Sequence, residues 1–251
     1  MLDKIIENKR KEMEISKKNL PLPSFKYKLK SSERDFKKAL TKNKLNLIAE
    51  IKKASPSQNI TNQKVDIKKI VNVYNKYADA ISVLTDKKFF DGSLIDMKTI
   101  SKLTKLPILR KDFIIDEYQI YESRLYNADA ILLIASILSN RELNKFIEIA
   151  KGYHMDCLVE INTEYDLNKV LSSKASIIGI NNRNLNTLKI DTETTLRLMG
   201  KIPNNKIIVS ESGISSKNYI RKISNKVNAV LVGTLFMNSA RLEEEILSLI
   251  K

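Results

Sequence analysis

Few of the usual catalytic side chains are present. The 251 residues include one histidine, His154, and one cysteine, Cys157. A Ser-His-Asp or Cys-His arrangement would have to use that imidazole. Nothing in Lys151-Gly152-Tyr153-His154 reads as a nucleophile partner, so His154 is read as an ordinary loop residue. A zinc site built from several histidines is excluded. Proton transfer must then fall to lysine and glutamate, whose free pKa values lie far from neutrality until burial or charged neighbours tune them. Such residues stand at the ends of short apolar runs: Glu50 and Lys52, Lys111, Glu160 and Glu211, with the amide Asn181 at a further one.

The elements that position them follow one rhythm. Beyond residue 46, β-branched runs at 47–51, 80–84, 108–110, 130–134, 157–160, 177–181, 207–210 and 229–232 have the length of buried parallel strands. Helix-like segments alternate with them at 66–77, 94–103, 117–126, 140–150, 164–171, 192–199, 217–223 and 240–250. Ser93, Asp116, Ser139, Thr163 and Ser216 read as helix caps. Eight strand–helix units predict an α/β fold closed into a (β/α)8 TIM barrel. An open doubly wound sheet would carry a G-x-G-x-x-G turn after its first strand, and none occurs. Residues 1–46 lie outside the rhythm. They read as a charged helix, a Leu20-Pro21-Leu22-Pro23 break and a second helix near 32–40. The whole of 1–251 is expected to be one barrel domain with that N-terminal helical extension. No room is expected for a fused second barrel.

Strand alternation aims the candidates. Ile48, Glu50 and Lys52 share one face, while Leu47, Ala49 and Ile51 form a wholly apolar face that should meet the helices. By the same parity Lys111 points inward and Arg110 outward, and Glu160 reaches the mouth while Cys157 packs outside. Two lysines, three glutamates and Asn181 thus converge. Any one has a structural explanation; together they point to a catalytic site. Ser212-Gly213 and Gly233-Thr234 follow strands seven and eight, where barrels commonly hold phosphate on backbone N–H groups.

Lys and Arg total 44 against 29 Asp and Glu, a net charge of +15. The clearest basic cluster, Lys9-Arg10-Lys11, is followed at once by Glu12 and Glu14, and no zinc-finger spacing or aromatic RNA-binding box accompanies it. The lysines are read as solvated helix faces, with no nucleic-acid or membrane partner. A basic nucleic-acid-binding protein on a barrel scaffold is the competing class. No apolar run approaches the roughly 20 residues of a membrane span. The start is too charged for a secretory signal, and one cysteine fits a reducing compartment, so a cytoplasmic location is expected.

Longer blocks carry a family resemblance. They are Ile48-Ala49-Glu50-Ile51-Lys52-Lys53-Ala54-Ser55-Pro56-Ser57, Ser82-Val83-Leu84-Thr85-Asp86 with Phe89-Phe90-Asp91-Gly92, Pro107-Ile108-Leu109-Arg110-Lys111-Asp112-Phe113-Ile114, Leu158-Val159-Glu160, Ile178-Gly179-Ile180-Asn181-Asn182-Arg183-Asn184-Leu185 and Val209-Ser210-Glu211-Ser212-Gly213-Ile214. With the opening Leu2-Asp3-Lys4-Ile5-Ile6, they resemble the indole-3-glycerol-phosphate synthase family over nearly the whole chain. The resemblance implies a carboxy-lyase of tryptophan biosynthesis acting on a small sugar-phosphate substrate, with no metal or organic cofactor. By similarity Lys111 is the general acid for ring closure, and Glu160, Lys52 and Glu50 serve the dehydration. Asn181, Glu211 and Arg183 position substrate and charged side chains. Ser55, Ser212, Gly213, Gly233 and Thr234 lie where the family holds phosphate. Phe90, Phe113, Leu132 and Leu185 wall the aromatic ring. The family also places its N-terminal segment over the mouth. Two departures concern loops: Gln58-Asn59 stands where the family continues Lys-Gly, and Gly233-Thr234-Leu235-Phe236-Met237 where Gly-Glu-Ser-Leu-Met is common. Another phosphate-binding barrel enzyme, such as phosphoribosylanthranilate isomerase, is the alternative within enzymes. A monomer or weak homodimer is expected.

Overall fold

The computed structural model describes residues 1–55 and 66–250. Pro56, Ser57 and the Gln58-Asn59 departure lie outside the described residues. Eight strands form a closed parallel barrel in sequence order: β1 (Asn46–Ile51), β2 (Ala80–Leu84), β3 (Ile108–Lys111), β4 (Ala130–Ile134), β5 (Asp156–Ile161), β6 (Ile177–Asn181), β7 (Ile207–Glu211) and β8 (Ala229–Val232). β1 pairs with both β2 and β8, so no sheet edge is left open. The helices are α1 (Leu2–Asn19), α2 (Phe36–Ala39), α3 (Ile67–Tyr77), α4 (Lys87–Phe90), α5 (Leu94–Leu103), α6 (Glu117–Leu125), α7 (Asn140–Gly152), α8 (Glu164–Leu171), α9 (Glu193–Met199), α10 (Lys217–Ile223), α11 (Thr234–Met237) and α12 (Leu242–Ile250). All five expected caps accept a backbone N–H at the start of their helices.

Strand parity divides the core in two. Leu47, Ala49 and Ile51 join Val71, Tyr74 and Met97 in the layer between barrel and helices. Ile48, Leu109, Leu132, Leu158 and Val209 fill the barrel interior. The interior cluster also takes in Leu2 and Ile5, so the first turns of α1 close over one end of the barrel. Farther along, Met13 packs with Phe25, Tyr118 and Tyr121.

The expected helix near 32–40 shrinks to the four residues of α2. The preceding residues spend their polar groups on the barrel instead. Ser32 N–H donates to Tyr153 O (2.8 Å), and Ser32 Oγ to Asp129 Oδ1 (2.6 Å). Arg34 Nε lies 2.8 Å from Asp129 Oδ2. These anchors hold the segment against the barrel, and Asp35 begins the helix only afterwards by accepting from Lys38 N–H. The short α4 and α11, after β2 and β8, were not expected from the sequence. Among the described residues no helix is long and apolar enough to cross a membrane.

Candidate active site

The carboxyl ends of the strands surround a cavity of about 550 Å³. All sixteen candidate residues line it: Glu50, Lys52, Ser55, Phe90, Lys111, Phe113, Leu132, Glu160, Asn181, Arg183, Leu185, Glu211, Ser212, Gly213, Gly233 and Thr234. Adjacency in sequence cannot do this, because the sixteen come from all eight strands or the loops after them. Alternation and closure bring them together. Met1, Leu2 and Ile5 line the same space from α1.

The charges form two groups. Lys111 Nζ lies 3.1 Å from Glu160 Oε2 and 3.5 Å from Glu211 Oε2. Lys52 Nζ lies 3.2 Å from Glu50 Oε1 and donates to Thr234 Oγ1 at 2.6 Å. Glu50, Glu160 and Glu211 are buried. Burial opposes the charge on Lys111, yet Glu160, Glu211 and Glu50 outweigh it and hold the ammonium pKa above the ordinary lysine value. The general expectation for a lysine acid, a pKa lowered towards neutrality, is therefore reversed here, because three carboxyl groups act on the ammonium. Glu211 responds in the opposite sense. Burial, together with Glu160 and Glu50, pushes its carboxyl up to about 8 against the pull of Lys111. Among the described residues neither of its oxygens has a hydrogen-bond partner.

The remaining cavity residues sort by chemistry. Arg183 Nη1 donates to Leu188 O (3.0 Å) and the side chain forms no ion pair among the described residues, which leaves most of its fork for an anion. Asn181 Oδ1 accepts from Arg183 N–H at 2.9 Å. Phe90 and Phe113 face each other with centroids 6.3 Å apart. Ser212 and Gly213 both adopt left-handed φ values, +65° and +72°, a turn that Gly213 takes without strain and Ser212 does not. Gly233 has a steric duty as well: a Cβ there would lie 2.2 Å from Glu50 Oε1. Cys157 is buried between barrel and helices, where burial pushes its thiol up. His154 sits between α7 and β5, at the far end of the barrel from the mouth.

The largest departure from the sequence reading is Lys9. The clearest basic cluster is not a solvated face: Arg10 and Lys11 are exposed, but Lys9 is 2% exposed. Its Nζ lies 2.8 Å from Asp86 Oδ2, 2.9 Å from Asp112 Oδ1 and 2.8 Å from Glu12 Oε2. Asp112 also pairs with the outward, buried Arg110 at 3.0 Å, and Arg110 with Glu122 at 3.0 Å. Burial works against the Asp112 carboxylate, but Lys9 and Arg110 prevail and hold it well below the usual carboxylate range. The signal available in the sequence was position: Lys9 follows Leu2 and Ile5 at helical spacing, on the face that docks.

Fold and cluster together define an enzyme of the (β/α)8-barrel class, with acid and base groups gathered beside the left-handed turn at Ser212 and Gly213. The family profile of indole-3-glycerol phosphate synthase matches residues 2–249, and the chain belongs to that family. It is 47% identical over 213 residues to the indole-3-glycerol phosphate synthase of Endomicrobium trichonymphae, covering 84% of this chain and 83% of that one. With that of Thermoanaerobacter pseudethanolicus it shares 45% over 240 residues, 94% and 92% of the two chains. A tryptophan biosynthesis protein TrpCF from Buchnera aphidicola subsp. Diuraphis noxia is 44% identical over 250 residues, all of this chain, which spans 55% of that protein's length. Among solved structures, a 3-hexulose-6-phosphate synthase superposes with a TM-score of 0.66 at 13% identity, covering 82% of this chain and 98% of that one. The N-(5'-phosphoribosyl)anthranilate isomerase of Pyrococcus furiosus gives 0.58 at 12%, covering 82% and 96%. At such identities the likeness is one of fold.

Proposed function

We propose that the chain is an indole-3-glycerol-phosphate synthase, a carboxy-lyase that converts 1-(2-carboxyphenylamino)-1-deoxyribulose 5-phosphate into indole-3-glycerol phosphate, carbon dioxide and water. The observation that carries this reading is the gathering of Lys111, Glu160, Lys52 and Glu50 in one cavity of a chain that belongs to this family. The aromatic carbon bearing the carboxylate attacks the ribulose carbonyl, and Lys111 gives a proton to the carbonyl oxygen. The bond to the carboxylate then breaks, carbon dioxide leaves, and its electron pair restores the aromatic ring. The new hydroxyl leaves as water with a proton from Lys52 or Glu160, while a carboxylate of the cluster takes the proton lost from the neighbouring carbon. The raised pKa of Lys111 keeps it in the ammonium form from which the first step starts, at the expense of acid strength.

Arg183 suits the substrate carboxylate, and Ser55, Ser212, Gly213, Gly233 and Thr234 suit its phosphate. Phe90, Phe113, Leu132 and Leu185 flank the ring. General acid–base help supplies about 10²–10⁴-fold, and orientation and fixed charge supply the rest. No step calls for a cofactor. We place the enzyme in the cytoplasm as a monomer or weak homodimer. The deciding experiment is a continuous fluorescence assay for indole formation with parallel capture of carbon dioxide. Equimolar appearance of both supports the reading; isomerisation of a phosphoribosyl anthranilate without carbon dioxide release refutes it.

A further inference from the structure

Gly179 occupies the middle of β6, a place where glycine costs stability and adds no packing. Its backbone does not ask for glycine: the one glycine with positive φ among the described residues is Gly213. What it provides is space. A Cβ at 179 would stand 2.1 Å from Glu211 Oε1 and 3.2 Å from Leu158 Cδ1. The register explains the encounter. Gly179 is level with Glu160 on β5, and Asn181 with Glu211 on β7, so the Glu211 side chain reaches back down the barrel into the gap beside Glu160. There it is 1% exposed, without a hydrogen-bond partner among the described residues, and 3.5 Å from Lys111 Nζ.

We propose that Gly179 is a positioning residue for the reaction, its missing side chain forming the seat that holds the Glu211 carboxyl against Lys111. The inference rests on the function proposed above. Alanine fits the strand backbone, so the substitution acts on the carboxyl: Glu211 Oε1 and the new Cβ must separate from 2.1 Å to at least the 3.4 Å of ordinary contact. Leu158 lies beneath the seat, so the carboxyl moves towards the mouth, into water. Displacements of this size in a catalytic group cost on the order of 10–10²-fold in rate.

The test is a cycle. Gly179→Ala is made in the native chain and in Glu211→Ala, and the rate of indole formation is measured in all four proteins. A loss of at least about tenfold in the native background, with less than about a twofold further loss in the Glu211→Ala background, supports the proposal. Equal losses in both backgrounds, or no loss in the native one, overturn it. Folding is read alongside by circular dichroism. A Gly179→Ala protein that folds only when Glu211 is also alanine supports the proposal; one that folds in neither background overturns it. A second readout does not need turnover. The Glu211 carboxyl carbon, assigned by its absence in Glu211→Gln, is titrated by NMR. In Gly179→Ala its midpoint falls by a unit or more towards the ordinary carboxylate range, and an unchanged midpoint overturns the proposal. A native protein that makes no indole sinks the proposed function and leaves this titration to decide the role of Gly179.

Discussion

Lys9→Met removes a buried ammonium while keeping most of its length and volume. Asp112 retains Arg110 at 3.0 Å, but Asp86, fully buried, loses the ammonium 2.8 Å away. Removing one partner of a buried pair costs about 3–5 kcal/mol, because the other charge stays desolvated. The loss falls on α1, whose other anchors are Leu2, Ile5 and Met13, each worth about 1.5–3 kcal/mol of apolar burial. The two quantities are comparable, so the variant relieves itself by releasing α1 and letting water reach Asp86 rather than by melting the barrel. Hydrogen exchange should therefore accelerate across residues 2–19 and stay protected in β1–β8. Because Leu2 and Ile5 leave the cavity wall, KM should rise more than kcat falls. Adding Asp86→Asn should restore much of the protection. Network stability should be flat near neutrality. Asp112 has a depressed pKa, so its contribution is present above the ordinary carboxylate value, about 4, and lost as pH falls below it. Lys9 has a raised pKa, so its contribution is present below the ordinary lysine value, about 10.4, and lost as pH rises beyond it. Unchanged exchange in α1, together with an unfolding free energy within about 0.5 kcal/mol of native, would refute this account of the network.

Three further outcomes are expected. Lys111→Ala abolishes turnover while the circular dichroism spectrum and much of the affinity for inorganic phosphate persist; near-normal turnover contradicts its role as the acid. Thr234→Val deprives Lys52 of its 2.6 Å acceptor and weakens phosphate binding about tenfold, as loss of a charged hydrogen bond would; calorimetry with inorganic phosphate checks this, and unaltered affinity removes Thr234 from the anion site. Glu211 has a folded pKa raised to about 8, so its contribution is fully present below the ordinary carboxylate value and is lost as pH rises towards 8. Urea denaturation should show native stability declining between about pH 5 and 8 by up to about 1.4 kcal/mol per pH unit relative to Glu211→Gln; parallel profiles for the two proteins would be the contrary result.

The alternation of apolar runs with capped amphipathic segments was enough to specify a closed barrel, because each strand is buried on both faces and each cap must satisfy the orphan N–H groups of its helix. Parity along each strand placed Glu50, Lys52, Lys111, Glu160, Asn181 and Glu211 on the inner face, since side-chain direction in a strand depends only on counting by two. Counting by two also set Glu50 beside Lys52, and they pair at 3.2 Å. That Lys111 joins Glu160 and Glu211, and that Lys52 meets Thr234, depends on strand tilt and shear. So does the rise of the Lys111 pKa, which sums over neighbours from three other strands. Lys9 looked like a surface charge because burial is a property of the docked helix. Gly179 gave no signal in the sequence because its reason lies on the next strand, in a carboxyl that the chain reaches only thirty-two residues later. Local periodicity is written in the order of residues; the field and the free space at a point are sums over everything that folding brings there, and only the tertiary structure decides them.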